Sequence, residues 1–133
     1  MNTQIIQDLT VEYSPTAIYL DDADSVEYVR RDVSSVYRRV DGFLTLVLDM
    51  RTKELNGFRL KGFRNFFLKH LKPRYQLIDD DFIPLVSVIE EAVQVLGTKI
   101  ISDPKRQDAY RQARKMAFEG MAKIEQPLQA MAA

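Results

Sequence analysis

The chain has 133 residues with 19 acidic and 19 basic side chains, a length that suits one globular domain with a single core. It contains no cysteine, and this excludes disulfides, thiolate zinc sites and cysteine nucleophiles. The N-terminal residues lack the basic and apolar regions of a signal peptide, and no stretch approaches the roughly 18 apolar residues of a membrane-spanning helix. These features predict a cytoplasmic protein with no membrane partner.

Three short strands are predicted before residue 41. Ala17 to Leu20 is an apolar segment between Pro15 and a group of aspartates, which favour turns. Ser25 to Arg31 alternates well enough to form the next strand. Ser34 to Val40 follows and leads into the Asp41-Gly42 pair.

The region from Val36 to Phe63 organises the sheet. Its sequence predicts three successive antiparallel strands. Asp41-Gly42 fits a two-residue type I′ turn, because Asp tolerates and Gly readily adopts the positive φ that this turn requires. The next strand has a wholly apolar face and a mixed face: Leu44, Leu46, Leu48 and Met50 on the first, and Phe43, Thr45, Val47 and Asp49 on the second. We expect this strand to be central, with helices over the leucine face. Leu55 to Lys61 is predicted to form the last strand, and the sequence does not determine its register against the preceding strand.

After Gly62 the apolar period changes from two residues to 3.6, which predicts helices over residues 63–72, 82–97 and 104–126. Asp79-Asp80-Asp81 is placed to cap the start of the second helix, and Gly97 is placed to close it in a left-handed cap. Asp103 is placed to begin the third helix. The predicted fold class is therefore α+β, with a four- to five-stranded antiparallel β-meander followed by two or three packed α-helices. We expect a single domain over residues 1–133, with a β-rich half (1–62) and a helical half (63–133).

Several short pieces of the first half occur in the order found in a known family. They are Ile18-Tyr19-Leu20, Ala23-Asp24, Ser25 to Val29, Leu46-Val47-Leu48-Asp49 and Glu54-Leu55-Asn56-Gly57-Phe58. In these pieces, residues 13–61 resemble the DUF2283 family of small bacterial proteins of unknown function. The resemblance implies a bacterial protein with a β-meander and no catalytic residue, since that family has no established activity. The helical half has no counterpart in it.

The residues that could carry catalysis have simpler structural explanations. His70 is the only histidine, and without a second histidine or a cysteine it cannot anchor a zinc site, so a surface or helix-terminal role is favoured. The clusters Asp21-Asp22-x-Asp24 and Asp79-Asp80-Asp81 lack the glycine and distal glutamate of a calcium loop. Capping and turn formation are favoured for them, and a carboxylate metal-dependent enzyme is the alternative. No cofactor is expected.

Residues 59–74 form a basic segment without any acid. Its candidate binding residues are Arg59, Lys61, Arg64, Lys69, His70, Lys72 and Arg74, and they are interleaved with Phe63, Phe66 and Phe67. Basic and aromatic side chains together are typical of surfaces that bind single-stranded nucleic acid or an acidic partner. The favoured interpretation is that the phenylalanines face the sheet and the cations are the solvated side. Neutralisation by the acidic residues of the first 29 positions, across adjacent strands, is also favoured over a binding surface.

A surplus of apolar surface predicts self-association as a homodimer, because three apolar helix faces and the second sheet face cannot all be covered in one small chain. The predicted interface is the small-sided face of the third helix, Ala113, Ala117, Gly120 and Met121, with Arg111, Arg114 and Lys115 as its polar rim. The favoured function is a non-enzymatic protein-binding or assembly module. Nucleic-acid binding through residues 59–74, with help from Arg30, Arg31, Arg38 and Arg39, is the alternative.

Overall fold

The structure, a computed structural model, describes residues 17–75 and 82–125. Five antiparallel strands form one sheet: β1 (Ala17–Leu20), β2 (Ser25–Val29), β3 (Ser35–Arg39), β4 (Leu44–Asp49) and β5 (Leu55–Lys61). Their spatial order is β1-β2-β5-β4-β3. The predicted α+β class and the five-stranded antiparallel sheet are confirmed.

The strand order departs from that of a simple meander at one position. β3, β4 and β5 are neighbours in chain order, as predicted, but β5 also pairs with β2 and so becomes the central strand. β4, which was expected at the centre, lies between β5 and the edge strand β3. Arg38 and Arg39 of β3 are exposed, and charged side chains suit a sheet edge because they stay hydrated and discourage pairing with another sheet.

The turn between β3 and β4 is wider than the predicted type I′ turn. Neither Asp41 nor Gly42 has a positive φ. The N–H groups of Val40 and Asp41 donate to the Leu44 carbonyl, and the Asp41 carboxylate accepts hydrogen bonds from the N–H groups of Phe43 and Leu44 at 2.8 and 2.7 Å. An aspartate side chain can close a turn in this way without left-handed backbone. The predicted hairpin is therefore confirmed, and its predicted turn type is wrong.

The helical half begins with three short segments in succession: α1 (Phe63–Phe66), a π-helical turn (Phe67–Leu71) and α2 (Lys72–Tyr75). It continues with α3 (Leu85–Leu96), α4 (Thr98–Ile101) and α5 (Pro104–Glu119). Gly97 ends α3 with a φ of +46° and donates its N–H to the Val93 carbonyl, and Asp103 caps α5 by accepting a hydrogen bond from the Arg106 N–H. The predicted Asp103 cap is confirmed. Gly97 ends the helix as predicted, but its ψ of −113° is not that of a left-handed cap. Residues 79–81, predicted to cap the second helix, lie outside the described residues.

Two short strands that the sequence does not predict, β6 (Phe82–Pro84) and β7 (Lys123–Glu125), form a second antiparallel sheet. α3 therefore begins at Leu85 rather than at residue 82, and α5 ends at Glu119 rather than at residue 126. After Met121, Ala122 and Ile124 are buried while Lys123 is exposed. This alternation is that of a strand, but it is too short to stand out from the helical period before it.

The helices cover one face of the sheet and form the core with it. The buried sheet residues on this face are Val26, Tyr28, Leu44, Leu46, Phe58 and Leu60. The predicted helix layer over the leucine face of β4 is confirmed. Leu48 is only half-buried, however, and Met50 lies beyond the end of β4 and is exposed. No helix within the described ranges is long and apolar enough to cross a membrane.

Candidate protein-binding groove

The cations of residues 59–74 do not share one surface. Phe58 and Leu60 of β5 face the helices, so Arg59 and Lys61 point from the opposite face of the sheet. The remaining candidates lie on the helical segments after Gly62: Arg64 and Lys69 are exposed, and His70 and Lys72 are half-buried. The side chain of Arg74 lies outside the described residues.

The aromatic residues of this segment are not available to a ligand. Phe63, Phe66 and Phe67 are buried in the core, as the favoured interpretation of their spacing requires. Arg59 instead forms an ion pair with Glu27 of β2 at 2.7 Å, and its guanidinium lies 4.7 Å from the centre of the Tyr37 ring. An acid of the N-terminal part thus neutralises a cation of the basic segment across adjacent strands.

Asp24 of the first aspartate cluster has a capping role. Its carboxylate accepts hydrogen bonds from the Tyr19 hydroxyl at 2.8 Å and from the Arg64 N–H at 2.9 Å, which ties the β1–β2 turn to the start of α1. Burial of Tyr19 and its hydrogen bond to this carboxylate raise the pKa of the tyrosine to about 12. Within residues 17–75 and 82–125, no group of three or more histidine, aspartate or glutamate side chains could hold a metal ion.

The predicted self-association face lies largely inside the chain's own core. Ala113 and Ala117 are fully buried against the rest of the chain, so they are not accessible to a second copy in this structure. Gly120 contacts the sheet so closely that a Cβ there would lie 2.1 Å from the Tyr28 hydroxyl oxygen. Only Met121, which is 82% exposed, remains as open apolar surface from this set. The homodimer itself stays a prediction.

A groove of about 400 Å³ lies on the outer side of the helical layer, between α3 and α5. α3 contributes Val86 and Glu90, which are one helical turn apart. α5 contributes Arg111, Arg114, Lys115 and Phe118, which follow the same spacing on the side of α5 opposite its buried alanines. α5 therefore contributes a buried face to the core and four of the described side chains that line the groove.

The groove combines apolar and cationic side chains. Phe118 is 71% exposed, the largest exposed fraction of any phenylalanine or tyrosine among the described residues. Three of the six lining side chains are cations, and Glu90 is the only acid among them; it pairs with Arg114 at 3.0 Å. Arg111 pairs with Asp108 one turn earlier on α5. These surface pairs are open to solvent on both sides, so they can exchange partners at little cost.

A buried polar cluster fixes α5 against the sheet. The Asp41 carboxylate, which closes the β3–β4 turn, also accepts hydrogen bonds from the Arg106 Nε–H and the Tyr110 hydroxyl, both at 2.8 Å. Burial opposes the ionisation of Asp41, but hydrogen bonds from the Leu44 N–H, the Tyr110 hydroxyl and other donors outweigh it and lower the pKa of the carboxyl. Burial and the same hydrogen bond raise the pKa of Tyr110. At the other end of α5, Glu119 pairs with Arg30 at 3.1 Å.

Sequence reasoning found half of this groove. It assigned Arg111, Arg114 and Lys115 to a polar rim, because they flank the apolar stripe of the third helix. It missed Phe118, which lies off that stripe and is the one large apolar side chain of α5 that points outward. It also missed Val86 and Glu90, because no local signal relates them to residues 25 positions later in the chain.

Comparison of the chain with protein-family models, with curated proteins and with solved structures found no match. The resemblance of residues 13–61 to the DUF2283 family stays a prediction.

Proposed function

We propose that the protein is a non-enzymatic binding module that holds an acidic, amphipathic segment of a partner protein in the groove between α3 and α5. The observation that carries this proposal is the exposed ring of Phe118 beside three cations in one concave surface. An apolar anchor with charged neighbours is the usual composition of a protein-binding hot spot and its rim.

The apolar and charged parts of the groove have different roles in this proposal. Burying the ring of Phe118 against a partner's leucine or valine side chains supplies most of the affinity, about 1.5–3 kcal/mol for a side chain of this size. Exposed ion pairs contribute only about 0–1 kcal/mol each, but they orient the partner and speed its approach. The volume of about 400 Å³ accommodates a few side chains from one face of a helix and not a whole domain.

The test uses a fluorescein-labelled amphipathic model peptide with leucine on one helical face and glutamate on the other, and measures its binding by fluorescence anisotropy. We expect saturable binding that weakens with salt, and at least about tenfold weaker binding to Phe118→Ser, since loss of 1.4 kcal/mol is tenfold. Tyr37→Ser is the matched control, because Tyr37 is an exposed aromatic residue on the sheet, far from the groove in the fold. A peptide with lysine in place of glutamate should bind more weakly, because the groove cations repel it.

Three results would contradict the proposal. The first is equal binding of the acidic and the basic peptide, and the second is equal binding by the wild-type protein and Phe118→Ser. The third is a concentration-dependent dimer of the wild-type protein, seen by sedimentation, that Phe118→Ser abolishes. That result would assign the groove to a second copy of the chain instead of a partner segment.

A second candidate function, binding of single-stranded nucleic acid, has one observation in its favour. Arg39, Thr45 and Arg59 are cross-strand neighbours on the sheet face that points away from the helices, and the exposed ring of Tyr37 lies on the same face. Cations beside an exposed aromatic ring suit phosphates and bases. Oligothymidylate should then bind at low salt and be released as salt rises. Unchanged binding by Tyr37→Ser would exclude this face.

A further inference from the structure

A second cavity, of about 620 Å³, lies at the end of the sheet opposite the β3–β4 turn. Residues 31–34, which connect β2 to β3, form one wall, and residues 49–51, at the β4–β5 turn, form the other. Neither segment contributes to the groove between α3 and α5. Any ligand of this cavity is therefore independent of the function proposed above.

The cavity is built on a β-bulge. Val47 pairs with Gly57 and Leu48 pairs with Leu55, so Asn56 has no partner residue on β4. The next residue, Gly57, lies close to β2, where a Cβ at its position would be 2.1 Å from the Tyr28 carbonyl oxygen. A bulge of this kind redirects the side chain of the extra residue. Here it places the amide of Asn56 beside the backbone of Arg31.

Asn56 is fully buried and uses its amide to hold Arg31. Its Oδ1 accepts hydrogen bonds from the Arg31 backbone N–H at 3.1 Å and from the Arg31 Nε–H at 3.4 Å, and its Nδ2–H donates to the Arg31 carbonyl at 2.9 Å. The Asn56 amide thus fixes both the backbone of Arg31 and the Nε atom of its side chain. A cation that is already oriented loses less freedom when it binds an anion.

Asp49 holds the guanidinium from the other side. Its Oδ1 accepts hydrogen bonds from the backbone N–H groups of Arg51 and Thr52 at 2.7 and 3.1 Å, and its Oδ2 lies 3.6 Å from an Arg31 terminal nitrogen. The bonds from Thr52 and Arg51 lower the pKa of this carboxyl, so it stays ionised at neutral pH. Among the described residues, Asn56 and Asp49 are the only side chains that bind the Arg31 guanidinium, and the side chain is 53% exposed.

The other lining residues define the kind of ligand that would fit. Arg51 supplies a second cation, with no ion pair to any residue of the described ranges, and Val33 and Met50 are exposed apolar side chains. Among the described lining residues, the charges of two arginines and two aspartates cancel, which disfavours a doubly charged anion. A planar carboxylate matches the fork of an arginine, and it carries a single charge.

We propose that this cavity binds a small carboxylate with an apolar body. Its carboxylate pairs with the guanidinium groups of Arg31 and Arg51, and its apolar body contacts Val33 and Met50. The volume is within the range of small-molecule sites.

The test is a titration of the 133-residue chain with hexanoate, followed by two-dimensional amide NMR. We expect saturable shifts concentrated at residues 31–34 and 49–51, with a Kd of about 1 mM, as is typical for a ligand of so few atoms. Hexanol and hexylamine have the same apolar body without the carboxylate and should cause no saturable shift in these residues.

Arg51→Gln tests the site without disturbing the hydrogen bonds of Asn56 and Asp49. The Arg51 side chain is exposed, and only its backbone N–H donates a hydrogen bond to Asp49. It should weaken hexanoate binding at least about fivefold, as expected for loss of a charged partner. Arg38→Gln, at an exposed arginine of the edge strand β3, is the matched control and should leave binding unchanged. No saturable shift, equal binding by Arg51→Gln, or equal binding of hexanol would overturn the proposal.

Discussion

Asp41 holds α5 against the sheet, and its replacement by alanine should destabilise the whole fold. The carboxylate accepts four hydrogen bonds: two from the N–H groups of Phe43 and Leu44, one from Arg106 and one from the Tyr110 hydroxyl. Its side chain is only 9% exposed, and that of Arg106 is 22% exposed. The ion pair is therefore largely withdrawn from water, unlike the other pairs of α5.

The magnitude follows from what the substitution leaves behind. Removing one partner of a buried ion pair costs about 3–5 kcal/mol, because the other charge stays buried without compensation. The Tyr110 hydroxyl also loses its acceptor, which costs roughly 1–3 kcal/mol for a buried group. Effects within one network are not additive, and part of Arg106 reaches water, so we expect about 4 kcal/mol for Asp41→Ala. Asp41→Asn keeps an oxygen for the turn and should cost about 2 kcal/mol.

Urea unfolding, followed by far-UV circular dichroism at neutral pH, measures these differences. In a thermal scan, a loss of about 4 kcal/mol corresponds to a decrease in Tm of roughly 15 °C for a chain of this size. Asp22→Ala is the matched control, because Asp22 is an exposed turn aspartate, and its loss should change stability by less than about 0.5 kcal/mol. A loss of stability below about 1 kcal/mol for Asp41→Ala would refute the reasoning, since substitution of an exposed residue can cause a change of that size.

The same cluster predicts a pH dependence. The pKa of Asp41 is lower in the folded protein than its ordinary value, because its hydrogen-bond donors outweigh the effect of burial. The folded state therefore favours the ionised carboxylate, and this contribution is fully present above the unfolded pKa of about 4. It is lost as the pH falls through the lowered folded pKa. The stability difference between wild type and Asp41→Asn should accordingly shrink below about pH 4, whereas a constant difference would exclude an ionised Asp41.

Three further substitutions have definite expectations in the same unfolding assay. Gly57→Ala should cost at least about 3 kcal/mol, because the added Cβ would meet the Tyr28 carbonyl oxygen and one of the two strands would have to move. Asp24→Ala should cost about 1–2 kcal/mol through loss of the bond to the Arg64 N–H; no change would show that this cap contributes nothing. Ala117→Glu should unfold the chain or cost at least about 3 kcal/mol, since it buries a charge; a fully stable variant would place Ala117 at the surface.

The elements with strong local signals could be predicted from the sequence. β1 and β5 have the predicted bounds, because turn-forming residues mark their ends. α5 begins at Pro104, directly after the predicted N-cap Asp103, because an N-cap depends on residues that are adjacent in the chain. The burial of Phe63, Phe66 and Phe67 likewise follows from their helical spacing.

Features that depend on distant residues could not be predicted. The pairing of β2 with β5 brings together segments about 30 residues apart, and alternation within a strand does not name its partner. The Asp41-Gly42 pair permits a type I′ turn, but Arg106 and Tyr110, more than 60 residues later, hold the aspartate in another role. Nothing in the sequence around Asn56 indicates the bulge that directs its amide to Arg31.

α5 has a buried face and an exposed face, so mutations can separate the stability of the fold from the binding proposed for the groove. Its inner face, with Ala113 and Ala117, is small and fully buried, so α5 lies close to its neighbours and changes there act on folding. Its outer face, with Phe118 and the groove cations, is solvated, so changes there cost little stability. Asp41 fixes the start of the same helix from the sheet. The helix that lines the groove is thus held in place by the chain itself, and under the proposed function this lowers the entropy lost on binding.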